Sequence, residues 1–129
     1  MADYATSAQL ANWYGQGNIN RWADMEGTGD ANASIATRTS EALTLATDRI
    51  DARLRLAAVI DRDVQLSSVP NIVMHICRVI AGFYLSKARD AKGYDDQGTP
   101  ISPYYIEYMD ALSTLEDIAT GKLKPAADW

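Results

Sequence analysis

His75 and Cys77 are the chain's one histidine and one cysteine, the side chains most often met as proton shuttle, nucleophile or metal ligand. Two residues apart on a helix, they project about 200° from one another and cannot both grip one metal ion. A multi-cysteine zinc site and an intramolecular disulfide framework are both ruled out by these counts. His75 reads as a structural or interfacial residue, and Cys77 as a packed thiol whose burial raises its pKa. An enzyme site would have to draw on carboxylates such as Asp95, Asp96, Glu107 and Asp110, and these lie largely in a loop. Nothing marks a nucleophile, a base and an orienting group that converge. The expectation is a protein without catalytic residues, metal or cofactor.

Three further groupings carry chemical possibilities. Asp24, Glu26, Thr28, Asp30 and Asn32 fall at positions 1, 3, 5, 7 and 9 of a calcium-type loop, with Gly29 at position 6. Position 12, where a bidentate glutamate belongs, is Ile35, so the segment reads as a solvated turn. Arg38, Arg49, Arg53, Arg55 and Arg62 gather around one helix as a phosphate-binding face would. Glu41, Asp48, Asp51, Asp61 and Asp63 interleave with them, which makes a salt-laced surface the better reading. The third grouping is aromatic: Tyr104, Tyr105 and Tyr108 cluster near the start of the last helix, and Trp129 ends the sequence. Tyrosine and tryptophan bury large area with a polar tip, which suits both cores and interfaces.

The elements that position these residues are helical. Thr6 with Gln9 is a capping box opening a first helix, with Gly15 and Gly17 at its end. Residues 18–34 read as a loop around Trp22. A second helix is expected from about Ser34 to Val59, with Ile35, Ala42, Leu43, Ala46, Ile50, Leu54 and Ala57 as its apolar stripe. Asp51 and Arg55 form an i,i+4 pair assigned to its exposed side. At about 39 Å that helix exceeds the roughly 28 Å diameter of a compact chain of this mass, so protrusion or packing on a neighbour is expected. Pro70 suits the first turn of a third helix reaching about Asp90. It is apolar nearly all round; its polar stripe is His75, Arg78, Gly82, Ser86 and Arg89. Residues 91–103 are turn-rich, and Ser102-Pro103 opens a fourth helix closed by Gly121. The fold class is therefore all-α, a small bundle of about four helices, with a domain over 1–123 and an extended tail over 124–129.

The whole chain has 129 residues, enough for one domain with its own core. The net charge of −5 opposes general binding to nucleic-acid phosphates or an anionic membrane. The longest apolar run, Ile72 to Leu85, is too short for a membrane crossing and contains His75 and Arg78. Residues 1–15 have neither the basic nor the apolar region of a signal peptide, so synthesis in the cytoplasm is the expectation.

The segment Tyr108-Met109-Asp110-Ala111-Leu112-Ser113-Thr114-Leu115-Glu116-Asp117-Ile118-Ala119-Thr120-Gly121-Lys122 resembles the closing Y-x-x-A-L-x-x-L-x-x-I-A-x-G-K signature of the Mu-like phage head–tail adaptor family. Tyr4-Ala5-Thr6 with Leu10, the Ala42–Leu56 helix with Ile50-Asp51, and the Val69-Pro70 step into a helix ending near Tyr84-Leu85 are similar to that family too. The resemblance covers most of residues 4–123; the glycine-rich 24–34 loop and the long 91–103 connection depart from it. It implies a structural protein of the virion neck, made in the host cytoplasm. Copies would join in a ring, commonly of about twelve, beneath the portal and bridge capsid to tail. The implied partners are the chain itself, the portal protein and a downstream neck or tail-completion protein. DNA would pass without sequence-specific binding, and no membrane is involved. Tyr104, Tyr108, Leu123, Pro125 and Trp129 are the candidate partner-binding residues. The alternative is a helical nucleic-acid-binding or DNA-packaging accessory protein, recognisable by a steep salt dependence.

Overall fold

A computed structural model describes residues 3–23, 33–60, 65–66, 68–89 and 103–125. Five helices appear in it: α1 (Ser7–Tyr14), α2 (Gln16–Ala23), α3 (Ala33–Leu56), α4 (Asn71–Arg89) and α5 (Pro103–Ala119). There is no strand among the described residues, so the chain is all-α. No helix among them is long and apolar enough to cross a membrane.

The helix ends follow local chemistry. The Thr6 side chain accepts from the Gln9 amide at 3.1 Å while Gln9 Oε1 accepts from the Thr6 amide at 2.8 Å, the reciprocal box expected from the sequence. Gly121, at φ +83°, ends α5: its amide donates to the Ile118 carbonyl and the Lys122 amide donates to Asp117. That pair of bonds is a Schellman turn, which needs a left-handed residue at its bend. The same turn ends α3, but there the bend residue is Ala58, at φ +58°.

The structure corrects four expectations. Residues 16–23, read mostly as loop, form α2. Gly15 turns the chain at φ +89°, and its carbonyl accepts from the Ile19 amide at 3.1 Å, so a new helix starts at once. Ile19, Trp22 and Ala23 supply a buried face despite the glycine and asparagines around them. α3 stops at Leu56, three residues early, and packs on α2, α4 and α5. Pro70 lies just before α4, where its carbonyl accepts from the Met74 amide, and Asn71 is the first helical residue. Asp51 is 1% exposed, so its pairing with Arg55 belongs to the interior and not to the solvent side.

α4 lies at the centre, against α1, α2, α3 and α5. Its all-round apolar character is thus satisfied within the chain. Two positions of its polar stripe are covered: Ser86 is buried with its hydroxyl donating to the Phe83 carbonyl, and a Cβ on Gly82 would lie 2.1 Å from Cε2 of Tyr14. Gly82 leaves the seat into which the Tyr14 ring fits.

Candidate functional site

Among the described residues, polar side chains converge in three places. The first joins α1, α4 and α5. Glu107, on α5, accepts from Tyr14 Oη at 2.6 Å and from Trp13 Nε1 at 3.1 Å. The Arg78 guanidinium sits 4.7 Å from the Trp13 ring centre, and its Nε donates to His75 Nδ1 at 2.9 Å. His75 meets Trp13 edge to face at 4.6 Å. Burial first, then the neighbouring Arg78 cation, push His75 below the usual histidine range, against an opposing pull from Glu107. Burial, followed by the bond to Glu107, pushes the Tyr14 phenol up. Tyr104 completes the group: it lies 5.0 Å from the Trp22 ring and 5.7 Å from Tyr14.

The second place is the seam between α3 and α5. Arg53 grips Glu116 with two parallel bonds of 2.7 and 2.6 Å, which hold the Glu116 carboxyl below its ordinary range. Arg49 donates to Tyr108 Oη at 2.7 Å and to Tyr84 Oη at 3.2 Å. The salt-laced surface preferred from the sequence is what these bonds make: Arg49, Arg53 and Arg55 spend their charge on partners in the same chain, which weakens a phosphate-binding face.

The third place is buried beneath the N-terminal segment. Tyr4 donates its hydroxyl to Asp51 and accepts from the Leu66 amide at 3.0 Å. Gln65 donates to the other Asp51 oxygen at 3.2 Å, and the Tyr4 amide donates to Thr47 Oγ1 at 3.0 Å. Thr47 Oγ1 is 3.5 Å from Cys77 Sγ. Burial pushes that thiol up to about 11. A buried carboxylate is tolerable only with such partners, and here they tie residues 4, 51 and 65–66 together.

The candidate residues from the sequence separate accordingly. His75 and Cys77 point into different places, the first toward Trp13 and the second toward Thr47. Among the described residues no three His, Cys, Asp or Glu side chains are grouped to hold a metal. Glu107 is bound to α1 while Asp110 stands exposed. Asp95, Asp96 and the calcium-like Asp24–Asn32 segment lie outside the described residues. Of the partner-binding candidates, Tyr104 is half-buried in the aromatic group and Tyr108 is 8% exposed, stacked 4.3 Å from Phe83. Leu123 packs on the core and Pro125 is half-buried, whereas Trp129 lies outside the described residues.

The sequence reading missed the outward apolar side chains. Leu56 is 82% exposed, Leu45 58%, Ile106 55%, Met109 47% and Trp13 45%. The signal for them was available: each falls off its helix's buried stripe by about a quarter turn or more.

The sequence model of a family described as bacteriophage Mu, Gp36 matches residues 4–128. No curated protein matches the chain.

Proposed function

The chain belongs to the bacteriophage Mu Gp36 family, and from that membership we propose that it is a head–tail connector, a subunit of a ring below the portal that bridges capsid and tail. Within this reading it is a structural protein with no reaction of its own. The observation that carries it is the set of large apolar side chains turned to solvent on α1, α3 and α5, led by Leu56 and Leu45. Such side chains gain roughly 25 cal/mol for each Å² removed from water, so neighbouring copies or neck proteins would cover them. The polar clusters support the same reading, because their bonds hold helices together and, among the described residues, gather no convergent reactive set.

Ring closure uses two different surfaces of each copy, one meeting the next subunit's other. The net charge of −5 would make a channel wall that repels DNA, so that the duplex slides during packaging and ejection. The end of the chain, with Leu123, Pro125 and Trp129, supplies further contacts to the assembly, and Tyr104, at the α1–α5 edge by the opposite end of α5, adds to them.

Complementation tests the proposal. A phage lacking this protein should accumulate filled or partly filled heads and separate tails, visible by electron microscopy, and supply of the intact chain should restore joined particles. Normal joining in its absence would sink the connector reading. Mass measurement of the chain with purified portal should show a ring-sized increment.

A further inference from the structure

We propose that the tail of one copy, from Lys122 onward, docks on the solvent face of α3 in a second copy, along Glu41, Leu45 and Asp48. This deepens the ring reading and rests on it only for the number of copies joined.

A shallow recess, open to solvent, lies on α3 and is bordered by Ser40, Glu41, Thr44 and Leu45. Glu41, Leu45 and Asp48 recur at steps of four and three, so they form one stripe, acid, apolar, acid, which the exposed Arg38 extends by a cation three residues before Glu41. Glu41 and Asp48 are exposed. An occupant of this stripe must therefore bring apolar surface flanked by positive charge.

Few parts of the molecule satisfy that requirement. The outer face of α5 offers Ile106 and Met109, but α5 carries no lysine or arginine to meet the acids of the groove. Arg49, Arg53, Arg55 and Arg78 are engaged by partners in the same chain. Lys122 and Lys124 stand exposed where the chain leaves α5. In an extended segment they lie on one side, about 7 Å apart. The sequence continues Pro125-Ala126-Ala127-Asp128-Trp129. Trp129 lies four residues beyond Pro125, within about 14 Å of chain, and brings an indole to the recess beside Leu45.

Geometry favours a second copy over the same one. Arg49 meets Tyr108 and Arg53 meets Glu116, so α3 and α5 run in the same sense. α5 then ends past the level of Arg53, while Leu45 lies eight residues, about 12 Å, before it. The tail leaves at the end of α3 remote from its own groove.

The test is dilution of the ¹⁵N-labelled full chain, without portal, over about a hundredfold in concentration. The amide signals of Ser40, Thr44 and Leu45 should move with concentration. Lys122→Glu with Lys124→Glu, or Glu41→Lys with Asp48→Lys, should each weaken self-association about fivefold or more. An equimolar mixture of the two swapped chains should regain it, because the acidic tail of one fits the basic groove of the other. Three outcomes overturn the proposal: groove signals indifferent to both dilution and tail substitution, a tail effect independent of concentration (seating within one copy), or no recovery in the mixture. All four positions are exposed, so unchanged melting curves verify folding; if a swap disturbs the melt, Leu45→Ser and Trp129→Ser replace it, and each must weaken self-association. A failure here leaves the connector reading to its own complementation test.

Discussion

Two small residues set conditions for large ones. Gly82 sits inside α4, where glycine costs roughly 0.5–1 kcal/mol relative to alanine, yet a methyl there would drive into the Tyr14 ring. Gly82→Ala should therefore destabilise by about 1–3 kcal/mol despite its better helix propensity, read from urea unfolding. Ala58 is the opposite case. It holds a left-handed bend that Gly121 takes without strain, so Ala58→Gly should stabilise by about 0.5–1 kcal/mol in the same measurement. Cys77 is buried with its thiol at about 11, and a disulfide reagent at pH 8 should label it only when denaturant opens the fold. Rapid labelling of the native chain would contradict its place beside Thr47.

α1 is short, and its attachment depends on what other helices offer it. Glu107 takes hydrogen bonds from both Trp13 and Tyr14; Glu107→Ala should cost about 2–3 kcal/mol and raise hydrogen exchange in α1 before α4. The neighbouring His75 gives a pH dependence with a definite sign. Its folded-state pKa is depressed, so the unfolded chain binds the proton more readily, and stability falls as pH drops below about 6.5. His75→Gln should flatten the unfolding midpoint between about pH 7.5 and 5. Glu116 adds its own loss only below the carboxylate range. Much of this level was legible in the sequence: the Thr6–Gln9 box, the α3 stripe and the Gly121 stop are local signals, and local signals survive folding. α2 was hidden because glycine and asparagine at 17, 18 and 20 mimic a loop, and only burial of Ile19 and Trp22 shows the helix. The Asp51 environment was illegible for a different reason. Its partners Tyr4 and Gln65 come from distant chain positions, which no i,i+4 rule can anticipate.

At the scale of the molecule, the interior is complete and the exterior is not. α4 is enclosed by its own chain, so its all-round apolar character is consumed at home and calls for no neighbouring copy. The outward leucines and methionine are what remain for association. Leu56→Lys combined with Met109→Lys should leave the melt nearly unchanged, within about 0.5 kcal/mol, yet should reduce the yield of joined particles in complementation. A normal yield would show that other surfaces carry the contacts. In the proposed ring, the Schellman turn at Gly121 would have an effect that scales with copy number. By fixing the bearing on which the backbone departs, it would give each member of a closed circle the same launching point for its final residues. Individually feeble grips then act together, and their joint hold rises far faster than their count. A circle containing a few defective members would still stay fastened, and attachment would fail abruptly once the intact ones became a minority.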